Sequence, residues 1–572
     1  MRIASWFVAS ALMVTAIALA AAPVCAAVGR SFSFPVARAS HPLALDPALE
    51  DPAWTAGLVP GDGTWEDITT KSPAPLSTDA YMLYDDKNLY VAFRVSQTGV
   101  PVVATQTTND VGFGIDDFVG IGIDTSGAGS NVYLFETTPI GTRYEQASAN
   151  ARYRPNWRAR AQRTEGGWSA VMIIPLADMR IPRAGTQTWR LQFIRGVAAK
   201  GEHYEWDFNG LMADAPSGSW PPFTDARFWA AGTSVRISAA LASKPQPHAD
   251  LYGLESVGAD RDEFEQADQE FEPEAVRTYG ADMTLPLTST ISAEGTLNPD
   301  FSNVEIDQET IAPQEFRRQL TEYRPFFAQG ASFINADSGL TGVLTGPNTN
   351  FVFYSPSIGS FDRGLKVEGS YGDENFGLMS FRGFDETTGN TFDDQAFGFE
   401  HALQDREFLY WGDGVLAHHS IAGDDSTVEG GVEARNLTSG LIGFADYAYE
   451  TGSWVPQGHA GSFFGFVDLH QAEAENFIGF SDISPSYDPI DGYTANADLR
   501  GFSTFSALFR GSSPGIKSWQ PTLNMDRFID ESGAVHQADF DPGLAVVFDD
   551  GFSLDGLGPA IGELRSYGIP AG

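Results

Sequence analysis

Cysteine is nearly missing from this chain: its 572 residues hold one, Cys25. It lies in the opening MRIASWFVASALMVTAIALAAAPVCA, which carries Arg2, an apolar run to Ala22 and small residues around Val24-Cys25-Ala26. That is the layout of a secretory leader, residues 1–26, cut after Ala26. The mature chain then has no thiol, which excludes disulfides and thiolate metal sites. Beyond the leader no apolar run reaches the ~20 residues of a membrane helix, so a helical membrane protein is excluded. Positive charge is scarce too. Lys and Arg number 35 against 75 Asp and Glu, a net charge of −40. Such a surface repels nucleic acid and offers phosphates no basic patch. No His-Glu-x-x-His motif is present, the nine His are scattered, and adjacent His418 and His419 would point to opposite faces of a strand.

What is abundant is glycine and aromatic residues, with 60 Gly, 41 Phe and 18 Tyr. This composition favours aromatic-rich strands broken by glycine, and the length favours two or more domains. From Leu43 to Arg236, short β-branched and aromatic runs alternate with turn residues, as in an antiparallel β-sandwich. Examples are Ala80–Tyr84, Leu89–Phe93, Phe118–Ile123, Val132–Phe135, Trp168–Ile174 and Trp189–Ile194. Asp85-Asp86-Lys87-Asn88 reads as a hairpin turn between two of them. Residues 236–274 are polar and acidic and read as a connector. From 275 to 572 the texture changes to alternating strands of about 8–10 residues, among them Ile291–Leu297, Leu365–Tyr371, Phe376–Phe381, Ala396–His401 and Ser462–Leu469. One side is apolar or aromatic and the other carries Gly, Ser, Asp, Glu, Lys or His, as a membrane-spanning β-barrel requires. A soluble half-buried sheet shares this period, so it stays open as the alternative.

Both halves carry a resemblance. Leu45-Asp46-Pro47-Ala48-Leu49-Glu50-Asp51-Pro52-Ala53-Trp54, the run YDDKNLYVAF at 84–93, Asp116-Asp117-Phe118, Asp124-Thr125, and Gly167-Trp168 followed by Ile174-Pro175-Leu176 resemble family 9 carbohydrate-binding modules over residues 41–235. Further on stand Leu297-Asn298-Pro299-Asp300-Phe301, Val304-Glu305, Asp307, Glu322, Arg324-Pro325-Phe326-Phe327, Gly330, Phe353-Tyr354-Ser355, Ile358-Gly359 and Asp482-Ile483-Ser484-Pro485. These resemble a family of bacterial outer-membrane proteins of unknown function that place a family-9-like domain before a β-barrel. The resemblance implies an all-β chain at the bacterial outer membrane, with poly- or oligosaccharide and outer-membrane lipid as partners. The chain's last residues, Ser566 to Gly572, lack the terminal aromatic of barrel-insertion signals, and the second half looks short. A small or truncated barrel is expected, with an open edge as an aggregation liability.

Family 9 modules clamp a sugar terminus between two tryptophans, so the resemblance implies an aromatic pair. Trp54, Trp168 and Trp189 are assigned to the core. The binding candidates are Trp65 after Gly-Asp-Gly-Thr, Trp157 in Arg-Pro-Asn-Trp-Arg, and Trp206 beside Glu205. Asp116 opens a strand and could face ligand or a structural calcium, since hard cations take oxygen ligands. No EF-hand spacing exists and no metal ligands are assigned. A glycoside hydrolase needs two carboxylates ~5–9.5 Å apart, and the sequence singles out no pair. An exported, periplasmic or secreted hydrolase of O-glycosyl bonds is nevertheless the rival function, because family 9 modules accompany such enzymes. A third reading keeps the sandwich fold without sugar binding.

A structural insert is expected near 310–324. Pro313 can open a short helix with Phe316, Leu320 and Tyr323 on one face, and Arg324 before Pro325 ends it. With Phe326 and Phe327 it would form a plug or docking element, Arg324 pairing with a carboxylate.

Overall fold

The computed structural model describes residues 33–564, except 207–232, 240–246, 259–273, 300–323, 329–333, 335–349 and shorter stretches of one to six residues in other connections. The expected leader, and the expected helix at 313–323, lie outside the described residues.

The first half is a sandwich. One sheet runs in the order Ser72–Pro73, Trp65–Asp67, Glu202–Trp206, Gly185–Val197, Phe118–Asp124, Val132–Thr137 and Arg143–Ala147, with Ser33–Pro35 and Thr233–Ala239 branching from it. The other runs Arg158–Thr164, Gly167–Pro175, Asn88–Ser96, Thr78–Tyr84 and Ala37–Arg38. Period-two alternation aims Met82, Val91, Phe93, Ala170 and Met172 at Ile121, Phe135, Leu191 and Phe193 of the facing sheet. Phe93 and Phe193 meet edge to face at 5.9 Å. The alternate residues Tyr81, Leu83, Tyr90, Val171 and Ile173 face the other way and are covered by Leu43, Leu49 and Trp54. Both faces of this sheet are therefore buried, and each fully buried Phe or Leu contributes roughly 1.5–3 kcal/mol. The expected turn forms: Asp85 N–H donates to Asn88 O at 3.0 Å, and Asp85 Oδ1 accepts from Lys87 N and Asn88 N.

The second half is one sixteen-stranded antiparallel sheet, in which strands follow one another from His248–Gly258 to Val535–Phe548, and the short strands Ser553–Leu554 and Ile561–Leu564 both lie along the outer edge of the latter. It begins inside the 236–274 span read as connector. Sixteen strands make a large barrel-type wall, not a small one. Among the described residues the pairing does not return to the first strand.

The polarity of this sheet is inverted relative to a soluble one. Leu365, Leu378, Phe399, Tyr410, Leu416, Tyr447 and Ile478 are exposed, whereas Glu294, Lys366, Glu368, Asp413, Glu433, Glu450 and Asp468 are buried. Register fixes this face by face. Leu378 stands opposite Phe397 on the outside, while Lys366 stands opposite Glu294 and Met379 on the inside. The inner face is partly filled by the long connections. Phe326, Phe327, Phe353, Phe361 and Tyr487 form one cluster with wall residues Met379, Phe381, Val415, Leu499 and Phe528.

Candidate functional site

The five sugar-binding candidates do not converge. Trp206 and Trp65 are register partners at one edge of the larger sandwich sheet, and Glu205 pairs with Glu66. Successive strand residues face opposite ways. Trp206 therefore points into the core, edge to face with Phe34 and Phe193, while Glu205 points outward. Trp65 is half-buried against the same core. Trp157 sits at the far edge, 0% exposed, its Nε1 donating to Glu145 Oε2 at 2.8 Å and its ring against Phe135 at 5.3 Å. Trp157 and Trp206 thus present no free face for stacking on a sugar. Asp116 is also buried, its carboxylate accepting from Thr105 N, Thr105 Oγ1 and Gln106 N, which fixes the 105–106 backbone.

What the register does assemble lies on the face of this sheet turned away from the sandwich core, where Glu205, Gln192, Glu136, Phe118, Leu134 and Ile194 are all buried. Glu205, Ile194, Gly120, Glu136 and Tyr144 stand in one row across five strands. Beside it, Gln192 Nε2 donates to Glu205 Oε2 at 3.2 Å and to Trp206 O at 2.9 Å. Phe118, Leu134 and Ile194, with Tyr144 packed against them, give this face its apolar part. Gly120 leaves room that Glu136 and Ile194 lean across: a Cβ there would lie 2.8 Å from Glu136 Cγ. Burial pushes the Glu136 carboxyl up to about 8. Amide, carboxyl and phenol groups beside apolar surface are the groups that bind sugar hydroxyls and ring faces. Glu205 and Glu136 are three strands apart, about 14 Å between Cα positions at ~4.8 Å per strand. Glu136 and Gln192 were not singled out from sequence. A carboxyl directly after the apolar run Val132–Phe135 was the available signal.

Inside the barrel-type wall, Trp411 reaches across the strand Gly423–Asn436 to Phe444 at 5.0 Å, and Phe466 and Phe477 on the next two strands continue the row at 5.0 and 5.3 Å. Inward-facing Asp413, Glu433, Asp446 and Asp468 flank them. Trp411 lies flat over Gly431, where a Cβ would come within 2.1 Å of the ring. Asp394, His419 and Asp491 bring ligand-type atoms within 4.8 Å of one another. Within this trio His419 Nε2 lies 3.1 Å from Asp394 Oδ2, and Asn390 Nδ2 lies 3.0 Å from His419 Nδ1.

A one-turn helix, Pro325–Ala328, follows Arg324. Arg324 Nη1 donates to Ile358 O at 2.7 Å and Nη2 to Ser355 O, and the guanidinium lies 4.5 Å over the Phe327 ring. Arg324 thus holds two carbonyls of the 355–358 segment. Lys366 Nζ donates to Phe326 O at 2.6 Å and pairs with Glu294 at 2.9 Å. Ser513, central in Gly511-Ser512-Ser513-Pro514-Gly515, exchanges backbone bonds of 2.8 Å with Ile516 between two antiparallel strands. The strand-to-helix setting of a hydrolase nucleophile elbow is not present there.

No protein-family model matches the chain, and no curated protein does. Among solved structures, a family 9 carbohydrate-binding module from Caldicellulosiruptor kristjanssonii in complex with cellotriose is 15% identical, covers 36% of this chain and 94% of its own, and has a TM-score of 0.25. A BenF-like porin from Pseudomonas fluorescens Pf-5 is 9% identical, covers 86% of this chain and 96% of its own, and has a TM-score of 0.26. Pseudomonas aeruginosa OpdK with vanillate is 8% identical over 76% of this chain and 89% of its own, with a TM-score of 0.24. Likenesses this distant bear on neither the fold nor the function.

Proposed function

We propose that this chain is an outer-membrane barrel protein that binds poly- or oligosaccharide through its sandwich domain. The observation that carries the membrane part is the inverted polarity of the sixteen-stranded sheet, with leucine and aromatic side chains outside and carboxylates and lysine inside. Exposing that outer face to water would be costly, and hydrocarbon is the solvent that matches it. The saccharide part is supported by the motifs over residues 41–235. The test is fractionation with gel mobility, followed by a glycan array probed with the detergent-purified full chain. The expected result is an outer-membrane band whose mobility changes on boiling, and binding to at least one glycan on the array. A soluble, unshifted band would remove the membrane reading. An array blank for every glycan would remove the saccharide reading.

A further inference from the structure

The two rims of the barrel-type sheet differ. On one, successive strands are joined by two to seven residues, as at 286–291, 371–374, 471–474 and 508–516; on the other, connections run to fifteen residues at 483–499 and 65 at 297–363. Outer-membrane barrels place short turns in the periplasm and long loops outside. The sandwich is held to the short-turn rim in three ways. Its last strand, Thr233–Ala239, is separated from His248 by eight residues, and His248 begins its strand at that rim. Such a link spans at most about 30 Å. Arg180 of the sandwich makes a two-pronged bond to Glu368, Nη1 to Oε2 at 3.0 Å and Nη2 to Oε1 at 2.5 Å, and Glu368 is 0% exposed on the inner face near the 371–374 connection. Lys517, beside the 508–516 connection, lies 3.6 Å from Asp67 and 3.7 Å from Glu202 of the sandwich.

Glu368 and Lys517 sit on strands nine apart along the sheet. One sandwich meets both, as it does when the sheet curls round; laid flat, nine strand spacings would be about 43 Å. The geometry points to the sandwich being a periplasmic lid lying across the barrel mouth, latched at Arg180–Glu368 on one side and at Lys517–Asp67/Glu202 on the other. This rests on the barrel reading above and goes beyond it. The saccharide-binding domain faces the periplasm rather than the medium, and any solute using the barrel passes the sandwich.

The one cysteine lies in the leader, so single cysteines report cleanly. Glu165→Cys, in the exposed Thr164–Gly167 turn of the sandwich, and Ser532→Cys, in the exposed 530–534 turn at the opposite rim, are labelled in cells with a membrane-impermeant maleimide. The expected result is that Ser532→Cys labels in intact cells and Glu165→Cys only after the outer membrane is permeabilised. Labelling of Glu165→Cys in intact cells would overturn the inference while leaving the barrel reading in place. Absence of the chain from the outer-membrane fraction would overturn the barrel reading itself. Carbodiimide treatment of the full chain is expected to join Lys517 to Asp67 or Glu202, a cross-link lost in Lys517→Arg and reduced severalfold in Arg180→Ala. No such cross-link in the unaltered chain would overturn the docking.

Discussion

At the scale of single residues, Glu136 makes the sharpest prediction. Burial raises its pKa from the ordinary 4.5 to about 8. The folded chain therefore holds this proton where the unfolded chain has released it. Stability is fully present below about pH 4.5 and declines as pH rises toward 8, because the unfolded state binds fewer protons. Thermal unfolding followed from pH 5 to 8 should show this loss. Glu136→Gln should flatten it and gain on the order of 2–4 kcal/mol at pH 8; an unchanged slope would count against the assignment. Arg180 predicts the opposite sign. Arg180→Ala leaves the Glu368 carboxylate buried beside Glu294 without its bidentate partner, a loss of about 3–5 kcal/mol in melting experiments. Glu368→Gln in the same chain should recover part of it. Neither residue stood out in the sequence, since with 75 acidic residues only register and burial distinguish one carboxyl from another.

At the scale of elements, the strands were largely legible and the sites were not. Ile291–Leu297, the runs within Thr78–Tyr84 and Asn88–Ser96, and the turn at Asp85–Asn88 all form where alternation and turn chemistry place them. Period two is a local property, so sequence carries it. The same period explains why Glu205 and Trp206, adjacent in sequence, cannot serve one site: they face opposite sides of one strand. Trp157 reads as a loop aromatic, yet it is buried, because the segment around it folds back on Phe135 and Arg143. The Arg-Pro-Phe-Phe element behaves as a clasp inside the wall. Arg324→Ala should free the Ser355 and Ile358 carbonyls and the Phe327 ring face, costing roughly 1–3 kcal/mol. Limited proteolysis at 350–361 should accelerate severalfold. Arg324→Lys should rescue little, since one ammonium cannot bridge two carbonyls and cover a ring as the planar fork does. Unchanged proteolysis in Arg324→Ala would mean the clasp does not hold these segments.

At the scale of the whole molecule, inverted polarity predicts a depth-dependent cost. Leu378 lies in the body of its strand and Leu403 at the end of its own, and both are exposed. In a bilayer, Leu378→Arg should cost about 2–4 kcal/mol and Leu403→Arg about 0–1, read as the urea midpoint of the reconstituted chain. Equal effects at the two positions would argue that the outer face meets water.

The sequence alone determined the all-β class, the change of texture between the two halves and most strand positions. All of these follow from local alternation and turn residues. Only the tertiary structure decided which carboxyls share a row, which tryptophans are core, that Arg324 holds carbonyls, and that Arg180 and Lys517 meet strands nine apart. Those facts depend on strand order and register, which bring together residues up to 450 positions apart, and no local pattern encodes such distances.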